Sequence, residues 1–506
     1  MRNIRFFVLF VCSILAFNSY GEDLKLNLKA RMTDTYRTSE FDIPKDMEIV
    51  FTEVLCQEYD DYDGRPYRFM LRNDGGLDFK LGNKLFDVVE FQPVTLQDLW
   101  DVHMITEVLP AINSYGYMDE LRQEINGDAL AYLAKVREYN LEFDDPQLSD
   151  YIHRLLLKIA PKRYLDGKHP EFNVIIEKSY RPDIKLFANG TVVLTTRLLS
   201  CLHSEDELVA LLAHELAHLV LDHSVLNVKK NMTRQNRAAF WSAALTGLVG
   251  VGEAVAASRT DYTPGWGLLA AASATAIFSS KVVDHLGMKY KEKQETVADQ
   301  IAKEVLKYHH YNPAALVTAF THVAPFYSES DHSVCLYKFS SKKNIQKWLK
   351  GLGEPMKVQS VDFERKISCA VTNIATMDYW DRHYSRCLTQ VNQNIHNQIA
   401  TSDDYLLKAA CLLALHDDPQ SNQEALDLII TAKTLGIPTF IQKERIEIIA
   451  HLRLGHKQEA LQLLTAYLDL LTQAQNGSGQ AVSAQYINQQ IKWAKTMQFK
   501  LGVMER

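Results

Sequence analysis

Residues 204–220 read SEDELVALLAHELAHLV, and their reading decides the fold. Ser204 and Glu207 stand three apart ahead of an apolar run, the signature of a capping box, and Glu205 and Asp206 suit the positive end of a helix. Leu208, Leu211, Leu212, Leu219 and Val220 recur at helical spacing and predict an amphipathic helix with one buried stripe. Inside it lies His214-Glu215-Leu216-Ala217-His218. Residues four apart on a helix face the same way, so both imidazoles can bind one metal ion, with Glu215 beside it. A zinc ion held there lowers the pKa of a bound water towards about 7, and Glu215 can take its proton and deliver it to a leaving amine. The bland alternative is two histidines on an ordinary core helix, in a chain that has 17 of them.

Catalytic zinc sites take three protein ligands and keep one position open. No third histidine follows at short spacing; Asp222 and His223 come next, and His223 reads as a surface or backbone-bonded residue. No CxxC pair occurs, which argues against a cysteine zinc site. Glu295-Thr296-Val297-Ala298-Asp299 offers two carboxylates on one face of a charged helix. Alone such a pair is usually a solvated face, but beside the upstream motif Glu295 is the best candidate for the third ligand. Asp299, one turn on, can accept a hydrogen bond from a ligand imidazole and fix its tautomer. His309 and His310 stand at the end of that helix, where a cation suits the dipole.

The motif follows a strand and a hairpin. Asn173-Val174-Ile175-Ile176 reads as a strand, and two apolar runs, Ile184-Lys185-Leu186-Phe187 and Val192-Val193-Leu194, flank Asn189-Gly190, a strong hairpin signal. A helix opens at Asp145-Pro146 with Ile152, Leu155, Leu156 and Ile159 on its inner face. Further upstream, Tyr67-Arg68-Phe69-Met70-Leu71 and Leu77-Asp78-Phe79-Lys80-Leu81 predict a second hairpin. Near the C-terminus Glu424-Ala425-Leu426 recurs as Glu459-Ala460-Leu461, 35 residues on, each after a polar turn, as in tetratricopeptide-like helical pairs; a non-repeating bundle is the alternative.

At 506 residues the chain is too long for one core, and its 47% hydrophobic content is that of a globular protein. A net charge of -7 argues against a dedicated nucleic-acid binder. Arg2 and Arg5, the mostly apolar run 6–17 and the small residues near Gly21 predict a secretory signal peptide, hence export. Cys12 follows Val11, a poor lipidation context. Removal of the signal would leave six of the seven cysteines, which allow 15 disulfide connectivities. Two uncharged stretches, 238–252 and 262–280, carry Trp241 and Trp266 near their ends. They predict a hairpin that leans on the membrane or packs over the active site without spanning: the first is short of the about 20 residues a span needs, and the second, though long enough, is rich in Ala, Ser and Gly, which face lipid poorly.

HELAH followed by ETVAD resembles metallopeptidase family 48, the HtpX, Oma and BepA type. The resemblance covers roughly residues 144–324 and takes in Asp145-Pro146-Gln147-Leu148, Phe187-Ala188-Asn189-Gly190 with Leu198-Leu199, and Tyr311-Asn312-Pro313. It implies an α+β, mainly α fold around a gluzincin-like zinc metalloprotease domain, with one zinc ion per chain on His214, His218 and Glu295. It further implies protein substrates, misfolded or stalled in the cell envelope or periplasm, and a peptide added to the edge strand near Asn189 and Gly190. The family usually carries a His-Pro pair ahead of an Arg, whose His can approach the metal. Here Ser330-Asp331-His332-Ser333 keeps a His without the Pro or the spaced Arg, while Gln359 and Arg365 keep the spacing without the His. His332 thus stands as a candidate switch beside the plain reading of a loop histidine.

The expected organisation is a signal peptide (1–21), a β-rich region (22–93), a helical connector (94–140), the metalloprotease domain (141–330, apolar hairpin 238–280), a helical linker (331–400) and tetratricopeptide-like helices (401–506). The opposing functional class is a protease-fold chaperone or assembly factor that binds partners through those helices. The intact Glu215 speaks against a full loss of catalysis.

Overall fold

A computed structural model describes residues 24–38, 41–56, 67–73, 78–81, 83–108, 115–138, 141–165, 172–231, 290–328, 342–357, 359–436, 442–476 and 484–501. The expected signal peptide, the apolar hairpin and His332 lie outside the described residues. Among the described residues, the fold is mainly helical with small sheets.

Strand β1 (Leu24–Met32) alternates strictly: Leu26, Leu28, Ala30 and Met32 are buried while Lys25, Asn27, Lys29 and Arg31 are exposed. Such a period-two pattern makes a sheet with one covered face. After the short pair β2 (Tyr36–Arg37) and β3 (Asp42–Ile43) come β4 (Glu48–Cys56), β5 (Tyr67–Asn73), β6 (Asp78–Leu81) and β7 (Val89–Phe91). They form an antiparallel sheet in the order β6-β5-β4-β1-β7. The predicted hairpin is β5 and β6, which pair Phe69 with Leu81 and Leu71 with Phe79. Helix α1 (Leu96–His103), closed by a Thr95–Asp98 capping box, covers the inner face with Trp100. It runs into a π-helical turn, Met104–Val108, and α2 (Tyr115–Glu138) follows.

Asp145 caps α3 (Pro146–Ile159), accepting from the Leu148 N–H at 3.0 Å. After the single turn α4 (Lys162–Leu165), β8 (Asn173–Glu177), β9 (Ile184–Leu186) and β10 (Thr191–Thr195) make a three-stranded sheet with β10 in the centre. β8 runs parallel to β10 and β9 antiparallel to it. The Asn189-Gly190 turn forms as the sequence predicts. Gly190 takes φ +81°, a left-handed value that glycine adopts freely, and the Asn189 side chain accepts from Thr191 N–H at 3.0 Å. The outer edge of β8 is covered by residues 141–143, through Phe143 N–H to Ile176 O and Lys178 N–H to Leu141 O, both 2.7 Å.

Helices α5 (Thr196–Cys201) and α6 (Glu205–Val220) follow. Two expectations for α6 change. Only half of the capping box forms: Ser204 Oγ accepts from Glu207 N–H at 3.3 Å, but the Glu207 carboxylate takes the His203 N–H and the Ser204 hydroxyl instead of the Ser204 N–H. Nor is α6 amphipathic; every residue from Glu207 to Val220 is buried. The helix is enclosed by β9, α3, α8 (Glu292–Tyr308) and α9 (Ala315–Ser328), so its polar motif faces the interior. Between them, α7 (His223–Asn231) packs against α2.

Helices α10 (Lys342–Leu352) and α11 (Val361–Trp380) still belong to the main core, one cluster that among the described residues includes Leu26 at one end and Met377 at the other. Beyond them come α12 (Tyr384–His396), α13 (Ser402–Leu415), α14 (Pro419–Leu435), α15 (Lys443–Arg453), α16 (Lys457–Asn476) and α17 (Ala484–Lys500), each packed on the next, around two smaller cores of their own. The recurring Ala425 and Ala460 are both fully buried, on α14 and α16. Cys201, Cys369, Cys387 and Cys411 are free thiols. No described helix is long and apolar enough to cross a membrane.

Candidate active site

Helices α6 and α8 lie side by side and bring three sequence-distant residues together. His214 Nε2 stands 3.2 Å from His218 Nε2 and 3.3 Å from Glu295 Oε2, and His218 Nε2 is 3.8 Å from the same oxygen. All three side chains are buried, and together they form a group able to hold a metal ion. Zinc bonds to such nitrogens and oxygens are about 2.0–2.2 Å, and a tetrahedron of that size has edges of roughly 3.3–3.6 Å. The three separations bracket those edges, so the donor set fits zinc in size as well as in chemistry.

Each imidazole is also held at its far nitrogen. His214 Nδ1 lies 3.0 Å from Asp299 Oδ1, the contact that the ExxxD spacing predicts. Trp348 on α10 donates its indole N–H to the other oxygen of Asp299 at 2.8 Å. His218 Nδ1 lies 2.8 Å from His223 Nδ1. This corrects the expectation for His223: it is 2% exposed and bonded to a ring of the motif, because Asp222 adopts φ +52° and turns the chain back under α6. Burial, helped by the neighbouring His218, lowers the pKa of the His223 imidazole well below its usual value.

Aromatic rings close the site. Tyr290 stacks face to face on His218 at 3.6 Å, and Phe320 meets His214 edge-on at 5.7 Å. Burial raises the Tyr290 phenol well above its ordinary pKa, and the carboxylates of Glu215 and Glu295 add to the shift. Glu215 itself is 5% exposed, next to His214 on the same helix. Glu107 of the π-turn, whose charge acts on His223, receives His103 Nδ1 at 3.3 Å. Burial would raise the Glu107 carboxyl, but the His103 hydrogen bond and the charges of Lys293, His103 and His223 outweigh it and leave its pKa lowered.

The other candidates fare differently. His332 lies outside the described residues. Gln359 gives its amide to Glu364 at 3.0 and 3.1 Å, and Arg365 pairs with Asp362 at 3.3 Å on the surface. His309 does not favour the cationic form expected at a helix end, since burial and then Lys158 lower its pKa. Sequence reasoning missed Trp348, Tyr290 and the role of His223. Only Asp222, a residue type that tolerates the left-handed region, hinted at the reversal that brings His223 back.

No curated protein matches the chain. Residues 146–365 match the sequence model described as Peptidase family M48, and this stretch contains both motif helices together with α10. That family is zinc-dependent, in keeping with a His, His and Glu donor set. The domain that encloses the buried cluster is therefore a metallopeptidase of family M48.

Proposed function

We propose that the chain is an exported zinc endopeptidase in which His214, His218 and Glu295 hold one zinc ion and Glu215 is the general base. The observation that carries the reading is the buried trio of donor atoms at tetrahedral-edge separations. A bound zinc ion supplies Lewis acidity, polarising a peptide carbonyl and making water nucleophilic at neutral pH. Glu215 takes the proton of the attacking water on its carboxylate and returns it to the departing amine. Asp299 and His223 keep the two imidazoles turned with Nε2 towards Glu295.

The substrate chain lies along β9. Asp183 O and Phe187 N–H bond to β10, so by alternation the backbone groups of Ile184 and Leu186 turn to the opposite edge, on the strand that packs against α6. An extended peptide adding there would bring a scissile bond towards the histidine pair. Such main-chain pairing suits unfolded segments of envelope proteins. The tetratricopeptide-like helices after residue 401 would select partners, a role supported by a cavity of about 310 Å³ that Leu406, Ile429, Lys433 and Lys443 help to line. The apolar stretches 238–252 and 262–280 would lean on the membrane or cover the cleft.

The test is digestion of unfolded casein by the purified mature chain, with metal content measured in parallel. One zinc per chain, activity lost on chelation, and a Glu215→Gln variant that keeps zinc but loses about 100-fold or more in rate are expected. Undiminished digestion by Glu215→Gln would assign the base elsewhere. A zinc-loaded wild type that binds casein without cutting it would favour the chaperone reading.

A further inference from the structure

We propose that His223 is the positioning residue for His218, and that helix α2, which precedes the family-matched segment, holds it there through Arg122. The inference rests on the zinc-site reading above. It adds to it a support built from outside the family-matched stretch, residues 146–365.

Proton accounting comes first. Two ring nitrogens 2.8 Å apart need one hydrogen between them. His218 Nε2 faces His214 Nε2 and Glu295 Oε2, so it must carry its lone pair to serve as a metal donor. The His218 proton is then on Nδ1, and His223 Nδ1 accepts it. The two imidazoles of the motif are thus held differently: His214 by the carboxylate of Asp299, His218 by the ring of His223.

The position of His223 depends on one turn. Helix α6 ends at Val220, Asp222 takes φ +52°, and α7 starts at His223. A side-chain-bearing residue seldom adopts that conformation, so something must hold it. Asp222 Oδ2 receives Arg122 Nη2 at 3.0 Å, and both side chains are buried, 3% and 8% exposed. Arg122 lies on α2, which packs against α7. Without the guanidinium, a buried carboxylate loses a charged partner at the residue that sets the turn. Tyr290 confines the same rings from the other side, stacked on His218 and 6.0 Å from His223.

The experiment uses the full mature chain, stripped of metal, with zinc affinity measured by competition against a chromophoric chelator and the His218 tautomer read by nitrogen-15 NMR. Asparagine places an amide oxygen where His223 has Nδ1, so His223→Asn should bind zinc within about threefold of wild type. His223→Leu, similar in bulk but without an acceptor, should bind roughly 10–100-fold more weakly. Arg122→Met should weaken zinc in the same direction, and Arg122→Lys should recover part of the loss. In the wild type, His218 should carry its proton on Nδ1 before any metal is added, a readout that needs no variant to fold. Equal zinc affinity in His223→Leu and wild type, an Asn variant as weak as Leu, or the Nε2–H tautomer at His218 would overturn the role of His223. Wild-type affinity in Arg122→Met would overturn the role of α2. A wild type that binds no zinc would instead remove the functional reading beneath both.

Discussion

Trp348 Nε1 donates to Asp299 Oδ2 at 2.8 Å while Asp299 Oδ1 faces His214 Nδ1 at 3.0 Å, so one carboxylate is fixed between an indole and the candidate ligand. A carboxylate tied at both oxygens has less freedom to leave the imidazole, which preorganises His214 for metal. Trp348 also meets Phe320 edge-on at 4.2 Å, and Phe320 in turn contacts His214.

Replacing Trp348 by Phe keeps an aromatic ring against Phe320 and removes the indole donor. Zinc affinity should fall several-fold, less than the roughly 10–100-fold expected for Asp299→Ala, which removes the imidazole's own partner. Chelator competition on both variants gives the ranking. A Trp348→Phe protein weaker than Asp299→Ala would show that the indole acts by packing rather than through the carboxylate.

Zinc should also stabilise the fold, because its proposed donors come from two different helices. Binding to the folded state alone contributes about 4 kcal/mol when free zinc exceeds its Kd a thousandfold. With one core cluster that takes in both Leu26 and Met377, that is an upward shift of several degrees in the unfolding midpoint. Calorimetry of the wild type with and without zinc measures it, and Glu295→Ala should lose most of the response. A Glu295→Ala midpoint that still rises with zinc as the wild type's does would remove Glu295 from the donor set.

Much of this site is legible in the sequence because its signals are local. The four-residue spacing of His214 and His218, the cap at Ser204 and the turn at Asn189 and Gly190 each act within one turn or hairpin. The pairing of Glu295 with the upstream motif is a long-range inference, yet few residue types can complete a two-histidine zinc site. His223 escaped because a left-handed residue breaks the helical spacing that sequence reading relies on. Trp348 and Arg122 stand 49 and 100 residues from their partners, and nothing in their neighbourhoods marks them. The burial of α6 on every side was hidden too, since its polar residues are charged or imidazole groups that ordinarily mark a solvated face.

Glu107 gives a prediction in pH. Its folded-state pKa lies below the ordinary 4.5, so its carboxylate contributes stability in full above that value and loses it as pH falls through the lowered one. Glu107→Gln keeps the shape and removes the charge. The gap in urea midpoint between wild type and variant should therefore be open at neutral pH and narrow as the pH falls below 4.5 and through the lowered pKa. A gap of the same size at both ends would mean that Glu107 acts through packing alone.

Arg197 and Asp378 join α5, beside the motif helix, to α11, and their 2.7 Å ion pair is 1% and 0% exposed. Breaking a buried pair by removing one partner costs about 3–5 kcal/mol, because the other charge stays behind. The two single variants should differ. Arg197→Met leaves the Asp378 carboxylate with the Gln390 amide at 3.1 Å and the part-exposed Arg386 at 3.6 Å, so its cost should fall at the low end. Asp378→Leu leaves the Arg197 guanidinium with the Tyr180 carbonyl at 3.3 Å and the face of Phe326, and should cost more. The double variant Arg197→Met, Asp378→Leu removes both charges and should recover most of the loss. Since Met377 belongs to the main core and Ala375 to the next, α11 ties the peptidase domain to the helices that follow, and the single variants should also expose the 381–401 region to protease. Urea unfolding gives the energies and timed proteolysis the location. Single variants that each cost under about 1 kcal/mol, with unchanged cleavage patterns, would mean that the pair is solvated in solution and that packing alone joins the two regions.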